Sequence, residues 1–310
     1  MPVLRKIISS FPHAKLKLLL YHFLNAENSI ASGPQDRLPT NAETPRFPPV
    51  TGLLHRLVFI SFLICAALLF GSLFQVPRLG NTRWLEGLLL VLALATTLFS
   101  LARSLPAQNV VTAAALIVLM SGVVQLIDLR TGIPFGSCVY TERLGPRLFG
   151  LLPWPVPLIW TVAILNSRGI ARLMLRPWRK TGKYGFWVIG LACLLTVVFE
   201  ISLEPFASAI KLYWLWEVPK NLPTWQGTPP TNFLGCAVTT LIILAFVTPW
   251  LINKRPPRKA PPDYHPLIVW LILNLLPGLA AATAHLWWAA GFTLVASVAV
   301  AAFAWRGARW

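Results

Sequence analysis

From residue 57 to residue 304 the chain is almost continuously apolar, and charged or turn-forming residues cut it into stretches of about 20 residues. A helix of that length rises about 30 Å, the thickness of the hydrocarbon layer of a bilayer. Inside that layer no water satisfies a backbone N–H or C=O, so each stretch must close its hydrogen bonds within itself. Eight spans are expected, at about 57–76, 84–102, 109–127, 148–166, 185–204, 231–251, 266–284 and 286–304. Asn274 and Pro277 interrupt the seventh, and little more than His285 is left to turn into the eighth. The fold class is therefore an all-α polytopic transmembrane bundle of 7–8 helices.

Composition agrees. Of 310 residues, 56% are hydrophobic and 12% charged, roughly half the charged fraction of a soluble protein. The net charge of +17 does not point to nucleic acid, because the Lys and Arg lie beside the apolar spans. With the N-terminus placed in the cytoplasm, inner segments hold 20 of the 27 Lys and Arg and outer segments hold 7. That asymmetry predicts both termini inside. It also places 128–147 and 205–230 on the same outer face.

Residues 1–24 carry Arg5, Lys6, Lys15 and Lys17 beside an apolar side broken by Pro12, which reads as a basic helix lying on the membrane surface. Residues 25–50 read as a linker and "NKRPPRKAPP" at 253–262 as a cytoplasmic loop. The division is thus an N-terminal segment, 1–50, and a transmembrane domain, 51–310. Cys65, Cys138, Cys193 and Cys236 are far apart, which indicates neither a zinc site nor a disulfide framework.

Most of the ten acidic residues fall at span ends or in loops. Glu200 and Glu204, in "VVFEISLEPF", do not; four residues apart, they share one helix face just before Pro205, which is expected to end the helix. An ionised carboxylate at membrane depth costs on the order of 3 kcal/mol, so such groups face a cavity or a partner, or stay protonated. A neutral carboxylic acid beside a carboxylate is equipment for general acid–base chemistry. The alternative is that both merely cap a span end, pairing with Arg143 or Lys211.

Two outer loops are unusually specified. "TGIPFGSCVYTERLGP" (131–146) combines Gly132, Gly136 and Gly145 with Pro134 and Pro146 around Tyr140, Thr141 and Glu142. It reads as a folded re-entrant or capping loop, with Gln125 and Asp128 just before it. "YWLWEVPKNLPTWQGTPPTNF" (213–233) offers Tyr213, Trp214, Trp216 and Trp225, which would suit an interfacial aromatic belt, and Thr231 or Asn232 as a helix N-cap. Histidine boxes, Asp-rich diphosphate motifs, GxGxxG, Walker A and HExxH are all missing from the sequence. Proton chemistry on an apolar molecule, or binding without chemistry, remains.

The ordered series "TGIPFG…YT", "LPWPVPLIW" (152–160), "FEISLEP" (199–205), "YWLW" (213–216) and "GTPPTNFLG" (227–235) resembles the integral-membrane carotenoid biosynthesis family that includes the carotenoid 1,2-hydratases. The resemblance covers roughly residues 55–251. It implies cofactor-independent addition of water to the terminal double bond of an acyclic carotenoid or related isoprenoid in the cytoplasmic membrane. On that reading Glu200, Glu204, Glu142 and Tyr140 are the catalytic candidates. Asp128, Phe135, Trp160, Trp214, Trp216 and Asn232 line the substrate, and no metal takes part. Against the family pattern, Glu200 and Glu204 stand where Asp is usual, Gln125 where Glu is usual and Cys138 where an aromatic is usual. The loop at 131–146 is then expected to roof a lipid-substrate cavity, with Tyr140 and Glu142 facing the carboxyls of the fifth span. The partners implied are a lipophilic polyene and membrane lipids. A carotenoid- or lipid-binding or transport protein without catalysis is the alternative, and a structural subunit a weaker one.

Overall fold

The computed structural model describes residues 49–76, 82–219, 221–252 and 261–310. The basic surface helix expected over 1–24 lies outside the described residues, as does the linker up to residue 48 and the proline-rich loop over 253–260. Eight long helices follow one another: α1 (Pro49–Leu73), α2 (Arg83–Ala102), α3 (Ala107–Thr131), α4 (Pro155–Met174), α5 (Tyr184–Glu204), α6 (Pro230–Val247), α7 (His265–Thr283) and α8 (Trp287–Ala308). Seven of them are long and apolar enough to cross a membrane; the chain is a multi-pass membrane protein.

The exception, α4, is the hub of the bundle. It packs against α2, α3, α5, α7 and α8, and 15 of its 20 residues are buried, so its neighbours are protein rather than lipid. A helix so enclosed can carry Asn166, Ser167 and Arg168 in its interior. Asn166 donates to Thr97 of α2 at 2.9 Å, and the Arg168 guanidinium to the Leu251 carbonyl at 2.9 Å. Interhelical polar contacts of this kind join helices where no hydrophobic force between them exists.

The fourth helix does not occupy 148–166, as the apolar run suggests. Arg147–Leu148 (β2) and Leu152–Pro153 (β3) form a short antiparallel hairpin, and α4 starts only at Pro155. Pro155 and Pro157 are the reason: neither has an N–H to donate, and the first turn is where a helix leaves its N–H groups unpaired, so this pair suits a helix start. At the other end α7 and α8 are joined by three residues, with His285 at φ 61°, the tight hairpin the sequence suggests. Pro277 lies within an unbroken α7, and Asn274 donates to the Trp270 carbonyl at 2.8 Å instead of interrupting the helix.

Pro205 ends the α-helical part of α5 at Glu204, as expected, but not the coil itself. The chain continues through a wide, π-type turn over Pro205–Ile210. Proline cannot donate to the carbonyl four residues back, and that freed carbonyl, on Ile201, accepts the Trp225 indole N–H at 3.1 Å. A proline that opens a hydrogen bond in α5 thus becomes the anchor point of the loop before α6.

The two specified loops pair with each other. Cys138–Tyr140 (β1) lies antiparallel to Trp214–Trp216 (β4) in the register Cys138 to Trp216, Val139 to Leu215 and Tyr140 to Trp214. Their contact puts both loops on one side of the bundle. Alternation sends Tyr140 and Trp214 into the protein and leaves Val139 and Leu215 exposed. The first loop also seats on α6. Thr231 donates to the Phe135 carbonyl at 2.9 Å, and Gly235 approaches so closely that an added Cβ would lie 2.6 Å from the Pro134 carbonyl oxygen. Gly235→Ala is expected to cost about 1–3 kcal/mol by forcing the loop off α6, measured as a lower melting temperature of the detergent-solubilised protein. Thr231 and Asn232 are not N-caps: α6 begins at Pro230, after Pro229, and both side chains serve neighbouring segments.

Candidate active site

α5 is the wall between two chambers. At 100° per residue, Phe199, Leu203, Phe206 and Ala207 fall on one flank and Glu200 and Glu204 on the next. The first flank lines an apolar cavity of about 600 Å³ between α2, α4, α5 and α7, with Leu89, Val162, Leu273 and Leu276 among its walls. The second lines a polar chamber of about 40 Å³ under the β1–β4 roof. Ile159, Leu203 and Trp214 line both, so the chambers meet at a neck of three side chains.

Glu204 is 1% exposed, and four donors converge on it. One carboxylate oxygen, Oε2, accepts from the indole N–H groups of Trp214 (3.2 Å) and Trp216 (3.0 Å) and from the Thr228 hydroxyl (2.9 Å); Oε1 accepts from the Asn232 amide at 2.9 Å. Two indoles and an amide N–H can only donate, so the donor set fits an ionised carboxylate. Each donor arrives for a local reason. The β4 pleat turns Trp214 and Trp216 the same way. A tight turn pairs Trp225 with Thr228 through two backbone hydrogen bonds of 2.9 Å, using Gly227 at φ 91°, and so aims the threonine inward. Asn232 points out of the first turn of α6.

Glu200, one turn earlier, has one longer contact, 3.4 Å from the same Asn232 amide, and is hydrogen-bonded to the Glu204 carboxyl. Its carboxyl opens to the polar chamber beside Gln125, Cys138, Tyr140 and Trp160. Tyr140 donates to Gln125 at 2.9 Å, and Phe135 packs on Trp160 with ring centroids 5.7 Å apart. Burial pushes the Cys138 thiol up to about 12, so it lines the chamber as a neutral group.

Of the ten residues singled out from the sequence, the structure brings eight around this chamber: Glu200, Glu204, Tyr140, Phe135, Trp160, Trp214, Trp216 and Asn232. Two are elsewhere. Glu142 does not face the carboxyls of α5; it sits exposed on a one-turn helix, Glu142–Leu144, at the rim of the large cavity. Thr141 explains this: its side chain turns back to the Leu212 carbonyl (2.6 Å) and caps that turn, which carries the next residue outward. Asp128 does not line the chamber; its carboxylate accepts the Phe135 N–H at 2.8 Å and holds the loop's start against the end of α3. Neither Arg143 nor Lys211 pairs with Glu200 or Glu204. Lys211 pairs with Glu86 at 2.5 Å, and Glu86 also accepts the Tyr213 hydroxyl. None of the four aromatic residues at 213–225 serves as a mere belt, since each polar head is bound within the protein.

Thr228 and Gln125 were not among those candidates, although both touch the site. "GT" before two prolines carried the signal for Thr228, since a hydroxyl fixed ahead of a helix start is a directed donor. Among the described residues no group of three or more metal-ligating side chains comes together.

A stretch of bisanhydrobacterioruberin hydratase from Haloarcula japonica is 31% identical to this chain over 115 residues, which is 36% of each protein. No solved structure matches. The profile of carotenoid biosynthesis proteins matches residues 83–300, from the start of α2 to within α8, and so takes in every side chain of the polar chamber and its neck. The chain belongs to the carotenoid biosynthesis protein family.

Proposed function

We propose that this protein is a hydratase of the cytoplasmic membrane that adds water to the terminal double bond of an acyclic carotenoid or related isoprenoid. One observation carries the reading. A four-donor carboxylate, Glu204, stands one helical turn from and bonded to a second carboxyl, Glu200, whose other contact is a long one, and a neck separates the pair from a large apolar cavity. Glu200 holds the proton and delivers it to the less substituted carbon of the alkene. The tertiary cation that results lies against the Trp214 ring, whose face attracts positive charge. Water in the polar chamber adds to the cation and returns a proton to the Glu200 carboxylate. The sum is alkene plus water to tertiary alcohol, with the acid regenerated and no cofactor required. Glu204 does not move a proton; its charge fixes Asn232, Thr228 and both indoles around the reacting groups.

The excess of Lys and Arg on the opposite face supports an outer-side location for this chamber. The similarity to a named hydratase supports the reaction type. The test is expression in cells that accumulate lycopene, followed by mass analysis of the pigments. Products heavier by one or two water molecules are expected. Unchanged lycopene in membranes that contain the inserted protein would sink the reading in favour of binding or transport without chemistry.

A further inference from the structure

The carboxyl chamber is too small for the substrate. At about 40 Å³ it has room for a few water molecules, each needing about 10–15 Å³ of such space. A branched hydrocarbon end group together with water does not fit. The cavity of about 600 Å³ is within the size range of ligand pockets and is lined mainly by apolar side chains. The two spaces share only Ile159, Leu203 and Trp214. These three differ in how they are held. Trp214 is fixed by its indole hydrogen bond to Glu204 and by strand pairing with Tyr140. Ile159 and Leu203 are partly buried aliphatic side chains facing each other's space from α4 and α5, with no polar anchor. Leu203 lies three residues after Glu200 and one before Glu204, so it covers the boundary between the carboxyls and the apolar flank of their helix.

We propose that Ile159 and Leu203 are the specificity-determining residues that select which double bond is hydrated. They form a stop that lets only the outermost double bond of the chain reach the Glu200 proton, and they keep water on the polar side. This rests on the hydratase reading and adds the residues that set its regiochemistry. In lycopene the terminal double bond is isolated from the conjugated system, whereas the next one inward belongs to it. Protonating the terminal bond and adding water therefore leaves the chromophore intact. The same step one isoprene unit further in removes one conjugated double bond and shifts absorption to the blue. The position of addition is thus visible in the spectrum.

The experiment compares wild type, Leu203→Ala, Ile159→Ala and Leu203→Trp in lycopene-accumulating cells. It reads product mass, product absorption and the amount of polyene that purifies with each protein in detergent. Wild type is expected to give hydrated product with unshifted absorption. The two alanine variants open the stop, and a blue-shifted product of the same mass is expected beside the normal one. Leu203→Trp closes the neck; polyene still purifies with the protein, but hydration falls by about 10²-fold, the loss expected for an ångström-scale misplacement of the reacting atoms. Three outcomes overturn the proposal: alanine variants that give only the wild-type product, Leu203→Trp hydrating at the wild-type rate, or Leu203→Trp losing bound polyene together with activity. Wild type that binds polyene and never hydrates it would instead overturn the hydratase reading itself, and this inference with it. The melting temperature of each detergent-solubilised variant separates a misfolded protein from an altered one.

Discussion

Glu200→Gln abolishes hydration and leaves the protein folded. The amide keeps the shape of the carboxyl and its neighbourhood to Asn232 but cannot deliver a proton to carbon. Loss of a positioned acid costs about 10²–10⁴-fold. The packing around it does not depend on a charge there, since a Gln amide can still donate to the Glu204 carboxylate and the other contact, to Asn232, is a long one of 3.4 Å. The measurement is hydrated product per unit of inserted protein, with the melting temperature as a control. A Glu200→Gln protein that still hydrates would move the proton donor to another group, whereas one that melts far below wild type would make Glu200 a structural residue. Glu200→Asp separates these further. It shortens the side chain by one methylene but keeps the acid, so activity is expected to fall by less than in the amide variant.

Glu204→Leu, by contrast, unfolds the roof. Leucine matches the volume but accepts nothing, and it leaves two indole N–H groups, an amide and a hydroxyl without the acceptor they share. Each buried donor without an acceptor costs ~1–3 kcal/mol, so for four donors a total loss of about 4 kcal/mol or more is expected. The loss is local. Trp214 and Trp216 hold β4, Thr228 holds the turn before α6, and with them goes the anchorage of β1. Limited proteolysis should therefore cut the segment after Pro205 in Glu204→Leu before the helices α5 and α6 separate. Glu204→Gln is expected to be much milder, because its carbonyl oxygen still accepts the three donors now on Oε2 and Asn232 can turn its own oxygen toward the new amide. If Glu204→Leu were as stable as Glu204→Gln, the four-donor arrangement would not be what holds the roof.

The membrane bundle and the carboxyl pair were legible in the chain because each follows from short-range chemistry. Apolar runs of helical length have one solution in a bilayer, and two carboxyls four apart on such a run share a face whatever surrounds them. The aromatic and glycine–proline motifs marked both loops as specified. Their mutual pairing was not legible, since strand register between residues 74 or more apart in the chain is decided by contacts and not by local pattern. The same limit explains Glu142. Its charge and its place in the motif suggested a role beside Glu200, yet the Thr141 cap turns it outward to the rim of the other cavity. Asp128 looked like a ligand for substrate and is instead the acceptor for a backbone N–H of the loop it precedes.

Two prolines show the division most clearly. At 153–157 the sequence contains what is needed to place the start of α4, because proline's missing N–H is free of cost only in a first turn. At Pro205 the same chemistry predicts a break, and the tertiary structure replaces it with a π-type turn by supplying the Trp225 indole to the carbonyl that proline leaves free. The sequence by itself therefore determined the helices, the membrane and the pair of acids. Only the tertiary structure decided that one acid is saturated with donors while the other faces a chamber for water, because that difference is made by side chains from two loops and a neighbouring helix.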